Sequence, residues 1–331
     1  MIITRTPFRI SFFGGGTDYP AYYREYGGSV LNATINKYCY INCRYLPPFF
    51  EYSYRIRYSK VEYANKVDDI SHPSVRECIK VMRIKDGLEM VHSSDIPAMS
   101  GIGSSSAFTV GFLHALNALI GKIITKRKLA FDAINLEQTI LRESVGSQDQ
   151  VAAAFGGLNK IDFANNGNIY VQPLTISPEK KVYLQDRLLF YFTGFARIAN
   201  EIAGEQIKLI PKKINELKQM QTFVDRAVEI LNGDEKGYSE FGKLLHESWM
   251  IKRSLSPKIT TNNIDNIYQA GIDAGALGGK ICGAGGGGFI VFYVEPDKQE
   301  NVKNVMRSLL RVPIRFEDLG SHIIHYSHQE E

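Results

Sequence analysis

Residues 97–107 read PAMSGIGSSSA, and the stretch that follows, 108–123, sets Phe108, Phe112, Ala115, Leu116, Leu119, Ile120 and Ile123 at helical spacing. Gly101 and Gly103 permit a tight turn, which places Ser104, Ser105 and Ser106 in the first turn of the predicted helix. First-turn N–H groups lack partners within the helix, and with the positive end of the helix dipole they favour an anion. Serine hydroxyls there bind phosphate oxygens or magnesium. A serine-capped helix after a glycine turn fits the same letters with no ligand at all, so the stretch gains meaning only from its companions.

Two common phosphate loops are excluded by spacing. No Lys-Ser/Thr pair follows the last glycine, as a Walker A loop requires, and a GxGxxG dinucleotide fingerprint fails at Ser106. Two further glycine-rich segments flank this one in sequence, TPFRISFFGGGTD (6–18) and KICGAGGGGF (280–289). Glycine turns let a backbone approach a phosphate closely, and all three segments are read together as parts of one nucleotide and substrate cleft.

Composition bounds the class. At 331 residues the chain suits two domains sharing a cleft, and 44% hydrophobic with 22% charged residues is ordinary for a globular protein. The 39 basic and 35 acidic residues are spread without a Lys/Arg stripe, which disfavours nucleic acid and suits an anionic small molecule. The most apolar stretch, 107–121, contains His114 and Asn117 and is too short and polar to span a membrane. The N-terminal MIITRTPFRISFF lacks the pattern of a secretion signal, so the expected location is the cytoplasm. Cys39, Cys43, Cys78 and Cys282 read as reduced, buried thiols; Cys39 and Cys43 have no second pair to complete a zinc site.

Along the chain, residues 1–60 alternate in short β-like runs, and residues 128–143 carry Ala130, Ala133, Ile134, Ile140 and Leu141 on one helical face. Glu137 falls on that same face, where a carboxylate needs a partner. A strand is expected from about residue 181 through LLFYF, then Lys-rich helices over 199–230, helices at 244–253 and 264–274, and a buried strand at 289–294. The mixture lacks regular βαβ repetition and predicts α+β domains, 1–178 and 179–331. Asp149 either caps the helix that begins near Val151 or faces a ligand.

The three segments, in this order, resemble the GHMP kinases: galactokinase, homoserine kinase, mevalonate kinase and phosphomevalonate kinase. The second motif of that family, PxxxGLGSSxA, is matched by Pro97, Gly101, Ile102 in place of leucine, Gly103, Ser104, Ser105 and Ala107, with Ser106 at the variable position. The third, KxxGAGGGG, is matched from Lys280 through Gly283 and Gly285 to Gly288. The resemblance implies a mixed-sheet N-terminal ATP-binding domain, a ferredoxin-like C-terminal domain and an active site between them. It implies ATP and Mg2+ as cofactors, with Glu137 and Ser105 holding the magnesium, Asp149 contacting the reacting hydroxyl and Arg9 keeping that aspartate ionised. The expected assembly is a monomer or homodimer.

PFRISFFGGGTDYP resembles the galactokinase signature PGRVNLIGEHTDY, with Gly15 and Gly16 replacing its Glu-His pair while Thr17 and Asp18 are kept. Two hexose-gripping side chains are gone, so a bulkier sugar fits. GGGTDYP, YGGSVLNATINKY, IRYSKVE and ISHPSVRE resemble more narrowly the D-glycero-D-manno-heptose 7-phosphate kinases of bacterial heptose-nucleotide synthesis, which phosphorylate the anomeric hydroxyl. Fucokinase, with GGWSD for GGGTD, is the nearest competitor, and galactokinase-like chemistry is a further alternative. Gly15, Gly16, Thr17, Asp18, Gly283, Gly285 and Arg197 are the expected substrate contacts; Arg55, Arg57, Lys60, Arg76 and Lys252 are further cations for a sugar phosphate. A sugar-sensing pseudokinase should have lost Arg9, Glu137 or Asp149, and all three are present.

Overall fold

The computed structural model describes residues 1–98, 100–194 and 199–327. Its spine is the long antiparallel pair β1 (Ile2–Phe13) and β2 (Gly28–Tyr45). β1 alternates in burial only over its first few residues and is fully buried from Thr6 to Phe13. The cause is packing on both faces. The Ser104–Leu119 helix covers the pair, while Phe12 and Phe13 meet the ring of Phe241 edge-on at 5.5 and 5.1 Å from the other half of the molecule.

β2 is long enough to serve two neighbours. Its first half pairs with β6 (Leu158–Phe163), itself paired with β7 (Ile169–Pro173); its second half pairs with β5 (Leu88–Ser94). Beyond β5 lie β3 (Tyr54–Arg57) and β4 (Val61–Ala64), and β3 runs parallel to β5, which makes the sheet mixed. The second sheet contains β8 (Leu188–Phe192), β9 (Gly278–Ile281), β10 (Phe289–Tyr293) and β11 (Leu310–Arg311) in the order β11-β8-β10-β9, all antiparallel. Helices cross between β8 and β9, and Gln299–Val305 crosses between β10 and β11. That is the βαββαβ order of a ferredoxin-like fold.

The two sheets lie on either side of the expected division at residue 178, with one departure. β12 (His322–Tyr326) returns to pair antiparallel with β1, so the end of the 179–331 segment belongs with the first sheet. Two local expectations are also corrected. The strand predicted from residue 181 begins only at Leu188: Ser177 accepts from Lys180 N and starts a helix, Pro178–Asp186, with proline in its first turn. The helix predicted over 128–143 is regular only over Lys126–Asn135 and passes into a π turn, Leu136–Ile140, that contains Glu137. All four cysteines are free and buried, and no helix among the described residues is long and apolar enough to cross a membrane.

Candidate active site

The glycine segments meet because they pack on one another. A Cβ at Gly101 would lie 2.7 Å from the Cys282 carbonyl oxygen, one at Gly283 2.5 Å from the Gly101 oxygen, and one at Gly288 2.3 Å from the Ser100 oxygen. Gly101, Gly283 and Gly288 also take left-handed φ values of 79°, 69° and 92°. The 280s loop therefore braces the 100s loop, backbone against backbone. From the other side, Arg9 N donates to the Ile102 oxygen at 3.0 Å, tying β1 to the same turn.

A cavity of about 770 Å³ opens where the three segments converge. Arg9, Gly15, Gly16, Asp18, Pro97, Gly101, Gly103, Ser104, Ser105, Ser106, Asp149 and Gly283 of the expected site residues line it. Ile102 and Ala107 are fully buried behind the turn, and Thr17 is buried with its hydroxyl donating to the Gly14 and Ser29 carbonyls, which makes it a turn residue. Gly285 packs on Ile259, where a Cβ would lie 2.6 Å from the Ile259 carbonyl oxygen, and it does not line the cavity. Arg197 lies outside the described residues.

At the centre, Arg9 Nε and Nη2 each donate to Asp149 at 2.8 Å, a bidentate pair, and Nη1 donates to the Gly101 oxygen at 3.0 Å. Asp149 sits in the first turn of the Gln148–Phe155 helix, with Ser147 as its N-cap residue. A Cβ at Gly103 would lie 3.5 Å from Asp149 Oδ2, so the loop expected to hold a phosphate lies beside the carboxylate expected to meet the acceptor. Asp18 is buried beside them; its Oδ1 accepts from Gly16 N at 2.9 Å, and burial raises its pKa, with the nearby Asp149 charge adding to the rise. Gly146 makes this possible, since a Cβ there would come within 1.9 Å of Asp18 Oδ2.

One of the serines of the turn bonds directly to Glu137. Ser106 Oγ donates to Glu137 Oε2 at 2.8 Å, whereas Ser105 is exposed on the cavity side. Gln150 donates to the same oxygen, and Oε1 has no hydrogen-bond partner. Glu137 is buried, and desolvation pushes its pKa up to about 7 against the lowering effects of the Thr109, Gln150 and Ser106 groups. No cluster of three or more His, Cys, Asp or Glu side chains suited to a metal occurs among the described residues. One carboxylate with an open oxygen and adjacent serine hydroxyls does fit Mg2+, which takes few protein ligands and completes its shell with water and phosphate oxygens.

Some cavity residues escaped the sequence reading. Tyr58, His72, His92 and Phe108 make an aromatic wall, with the His72 and Phe108 rings stacked at 5.0 Å and His92 edge-on to Phe108 at 5.2 Å. Of the cations named for a sugar phosphate, only Lys252 among the described residues lines the cavity; Arg55 pairs with Glu89, Arg76 with Glu77, and Arg57 and Lys60 are exposed. Lys252 Nζ donates to the Gly283 oxygen at 2.6 Å, and burial pushes its pKa down to about 8. Lys280 is buried behind it, donating to the Ser11 and Phe12 carbonyls at 2.7 and 3.0 Å.

A mixed sheet and a ferredoxin-like domain enclosing a cleft built from three glycine loops define a two-domain small-molecule kinase. The chain belongs to the GHMP kinase family: residues 73–157 match the GHMP kinase N-terminal domain and residues 227–312 the GHMP kinase C-terminal domain. It is 31% identical over 319 residues to D-glycero-alpha-D-manno-heptose 7-phosphate kinase of Campylobacter jejuni, covering 92% of this chain and 93% of that one. The crystal structure of a D-glycero-D-manno-heptose 1-phosphate kinase from Bacteroides thetaiotaomicron superposes with a TM-score of 0.80 at 26% identity, covering 99% of this chain and all of that one. An L-fucokinase/L-fucose-1-P guanylyltransferase of Bacteroides fragilis is 26% identical over 90% of this chain but 35% of its own length. The chain is a sugar kinase of this family, for which ATP is the implied phosphoryl donor.

Proposed function

We propose that this protein transfers the γ-phosphoryl group of ATP to the anomeric hydroxyl of D-glycero-D-manno-heptose 7-phosphate, giving the 1,7-bisphosphate for bacterial heptose-nucleotide synthesis. The observation that carries the reading is the Arg9–Asp149 pair in contact with the Gly103 turn, in a chain whose likeness to a heptose 7-phosphate kinase runs nearly end to end. The start of the Ser104–Leu119 helix suits the triphosphate, and the aromatic wall of Tyr58, His72 and Phe108 suits a purine.

Phosphoryl transfer proceeds through a loose transition state, so positioning and charge neutralisation supply most of the acceleration. The acceptor oxygen attacks the γ-phosphorus, the bond to the ADP oxygen breaks, and the hydroxyl proton passes late to Asp149 and then to solvent. Arg9 fixes the plane of that carboxylate through its two hydrogen bonds. Glu137, with Ser106 and the cavity-facing Ser105, would hold Mg2+, which neutralises the phosphate charges when bound. Such an enzyme works in the cytoplasm, where ATP and sugar phosphates are made.

The two heptose kinases above differ by name in the position of the phosphate, so regiochemistry belongs to the test. Heptose 7-phosphate, L-fucose, galactose and mevalonate are offered separately with ATP, ADP release is followed by a coupled assay, and the product is identified by phosphorus NMR. Phosphoryl transfer to C1 of heptose 7-phosphate, with far lower kcat/KM for the others, is the expected result. Preference for fucose or galactose would reassign the acceptor, and nucleotide binding with no transfer to any would make the protein a sensor.

A further inference from the structure

Gly15 is a glycine that its own backbone does not require. Gly14 and Gly16 on either side have φ values of 78° and 113°, but Gly15 has no left-handed φ, and a Cβ built on it would meet nothing closer than 3.5 Å. Neither conformation nor crowding explains the missing side chain. What surrounds the vacant position does: the three nearest atoms are Ser11 Oγ at 3.5 Å, Lys252 Nζ at 3.6 Å and Gln148 Nε2 at 3.8 Å.

These side chains converge from β1, from the Ser239–Ser254 helix of the second half and from the Gln148–Phe155 helix of the first. Each is more than nine-tenths buried, and each still lines the cavity. Ser11 Oγ and Gln148 Oε1 have no hydrogen-bond partner. Buried polar atoms are nearly always paired, so an open Ser11 Oγ beside the vacant position, with the open Oε1 of Gln148 on the same amide as the nearby Nε2, calls for a ligand atom.

We propose that Ser11, Gln148 and Lys252 form a niche around Gly15 that binds a hydroxyl of the acceptor sugar other than the one phosphorylated, and that Gly15 is kept bare to admit it. This rests on the sugar-kinase reading above and adds the residues that select the sugar. A hydroxyl suits the niche because it both accepts and donates: it takes a hydrogen bond from the Lys252 ammonium and gives its own proton to Ser11 Oγ or Gln148 Oε1. A phosphate dianion only accepts, and would leave the Gln148 carbonyl oxygen facing negative charge. Arg9 is also committed to Asp149 and the Gly101 carbonyl, which leaves Lys252, with one of its three N–H groups on the Gly283 carbonyl, as the cation at the niche among the described residues, enough for a hydroxyl but a single charge against a dianion. Since Lys252 comes from the second half and Ser11 from the first, a hydroxyl in the niche joins the two walls of the cleft.

Gly15→Ala places one methyl group in the niche, and Lys252→Met removes the donor while keeping a chain of similar length. Steady-state kinetics are measured for wild type and both variants with D-glycero-D-manno-heptose 7-phosphate as substrate and with unphosphorylated D-glycero-D-manno-heptose as substrate or competitive inhibitor; melting temperature and the KM for ATP are measured in parallel. Both variants are expected to weaken both sugars by about tenfold or more, the scale of a lost charge-assisted hydrogen bond, with the KM for ATP within about twofold of wild type. Weakening confined to the phosphorylated sugar would make the niche a phosphate site and overturn the assignment, as would unchanged sugar affinity, or an equal loss of ATP and sugar affinity with a lowered melting temperature. Wild-type protein that transfers phosphate to no sugar overturns the sugar-kinase reading and this assignment together. An active wild type with unaffected variants overturns only the niche.

Discussion

Ser106 Oγ donates a 2.8 Å hydrogen bond to Glu137 Oε2, joining the first turn of the Ser104–Leu119 helix to a π turn 31 residues further along the chain. The extra residue of the π turn falls where a carboxylate must reach a neighbouring helix, and such turns concentrate at functional positions. Glu137 has to be ionised to hold a metal, and its pKa of about 7 makes a proton a direct competitor near neutrality. Half-saturating Mg2+ is therefore expected to rise as pH falls from 8 to 6. Ser106→Ala removes a group that favours the charged form, and should raise the Mg2+ requirement by about 10-fold or more, as loss of a supporting hydrogen bond to a metal ligand does. Ser105→Ala leaves Glu137 untouched and should shift that requirement less. Mg2+ titrations of turnover at three pH values separate the two serines.

The bidentate Arg9–Asp149 pair predicts a particular kind of loss. Asp149→Asn keeps the shape of the side chain and one acceptor for Arg9, but removes the charge and the proton acceptor. Turnover is expected to fall by about 10²-fold or more, the usual scale for a positioned acid-base group, while nucleotide binding persists. Turnover by coupled ADP detection and nucleotide affinity by fluorescence titration are read on the same preparation. Near-normal turnover would remove Asp149 from the mechanism.

Much of this site was legible in the sequence, because glycine turns and helix starts are local signals. Pro97, Gly101, Gly103, Ser104, Ser105, Ser106, Arg9, Asp18 and Asp149 are read from motif letters, and all of them line one cavity. What escaped depended on distant packing. Val182, Tyr183 and Leu184 run almost into the apolar β8, so the letters of helix and strand merge into one apolar run, and only the Ser177-Pro178 start marks the helix. Ser106 and Ser105 are adjacent hydroxyls, and only the rotation of the helix decides which faces Glu137. Gly283 and Gly285 read as ligand contacts because glycine permits close approach; Gly283 lines the cavity while its missing Cβ makes room for the Gly101 backbone, whereas Gly285 makes room only for Ile259 and stays outside the cavity. β12 has three exposed apolar residues, and nothing in its letters says that it pairs with the first strand.

The bracing of one glycine loop by another can be tested with a matched pair of substitutions. Gly121 and Gly283 have nearly the same left-handed φ, 70° and 69°, but a Cβ at Gly121 meets nothing within 4 Å whereas one at Gly283 lies 2.5 Å from the Gly101 oxygen. Gly121→Ala should cost only the conformational penalty, about 1–2 kcal/mol, with the KM for ATP unchanged. Gly283→Ala must also push the Gly101 turn aside, so its melting temperature should fall further and, if that turn holds the triphosphate as proposed, its KM for ATP should rise. Thermal unfolding and ATP kinetics on the two variants give both comparisons. Equal behaviour would show that the 280s loop does not set the geometry of the turn.

Lys252 predicts the alkaline limb of the pH profile. Burial is the largest influence on its pKa and lowers it; Asp18, Cys282 and Asp149 favour the ammonium and Arg9 opposes it, while burial and the Lys252 charge push the pKa of the neighbouring Lys280 well down. The result, about 8, means that the ammonium donor is present below that pH and lost above it. A sugar that accepts a hydrogen bond from it should therefore bind more weakly as pH rises from 7.5 to 9.5, with log kcat/KM for the sugar falling by up to one unit per pH unit. A sugar phosphate is already fully ionised in this range, and burial raises the thiol of Cys282, so neither supplies the same step. Lys252→Met should flatten this limb, leaving a lower but level acceptor kcat/KM. If the variant keeps the wild-type slope, the titrating group lies elsewhere and Lys252 does not touch the sugar.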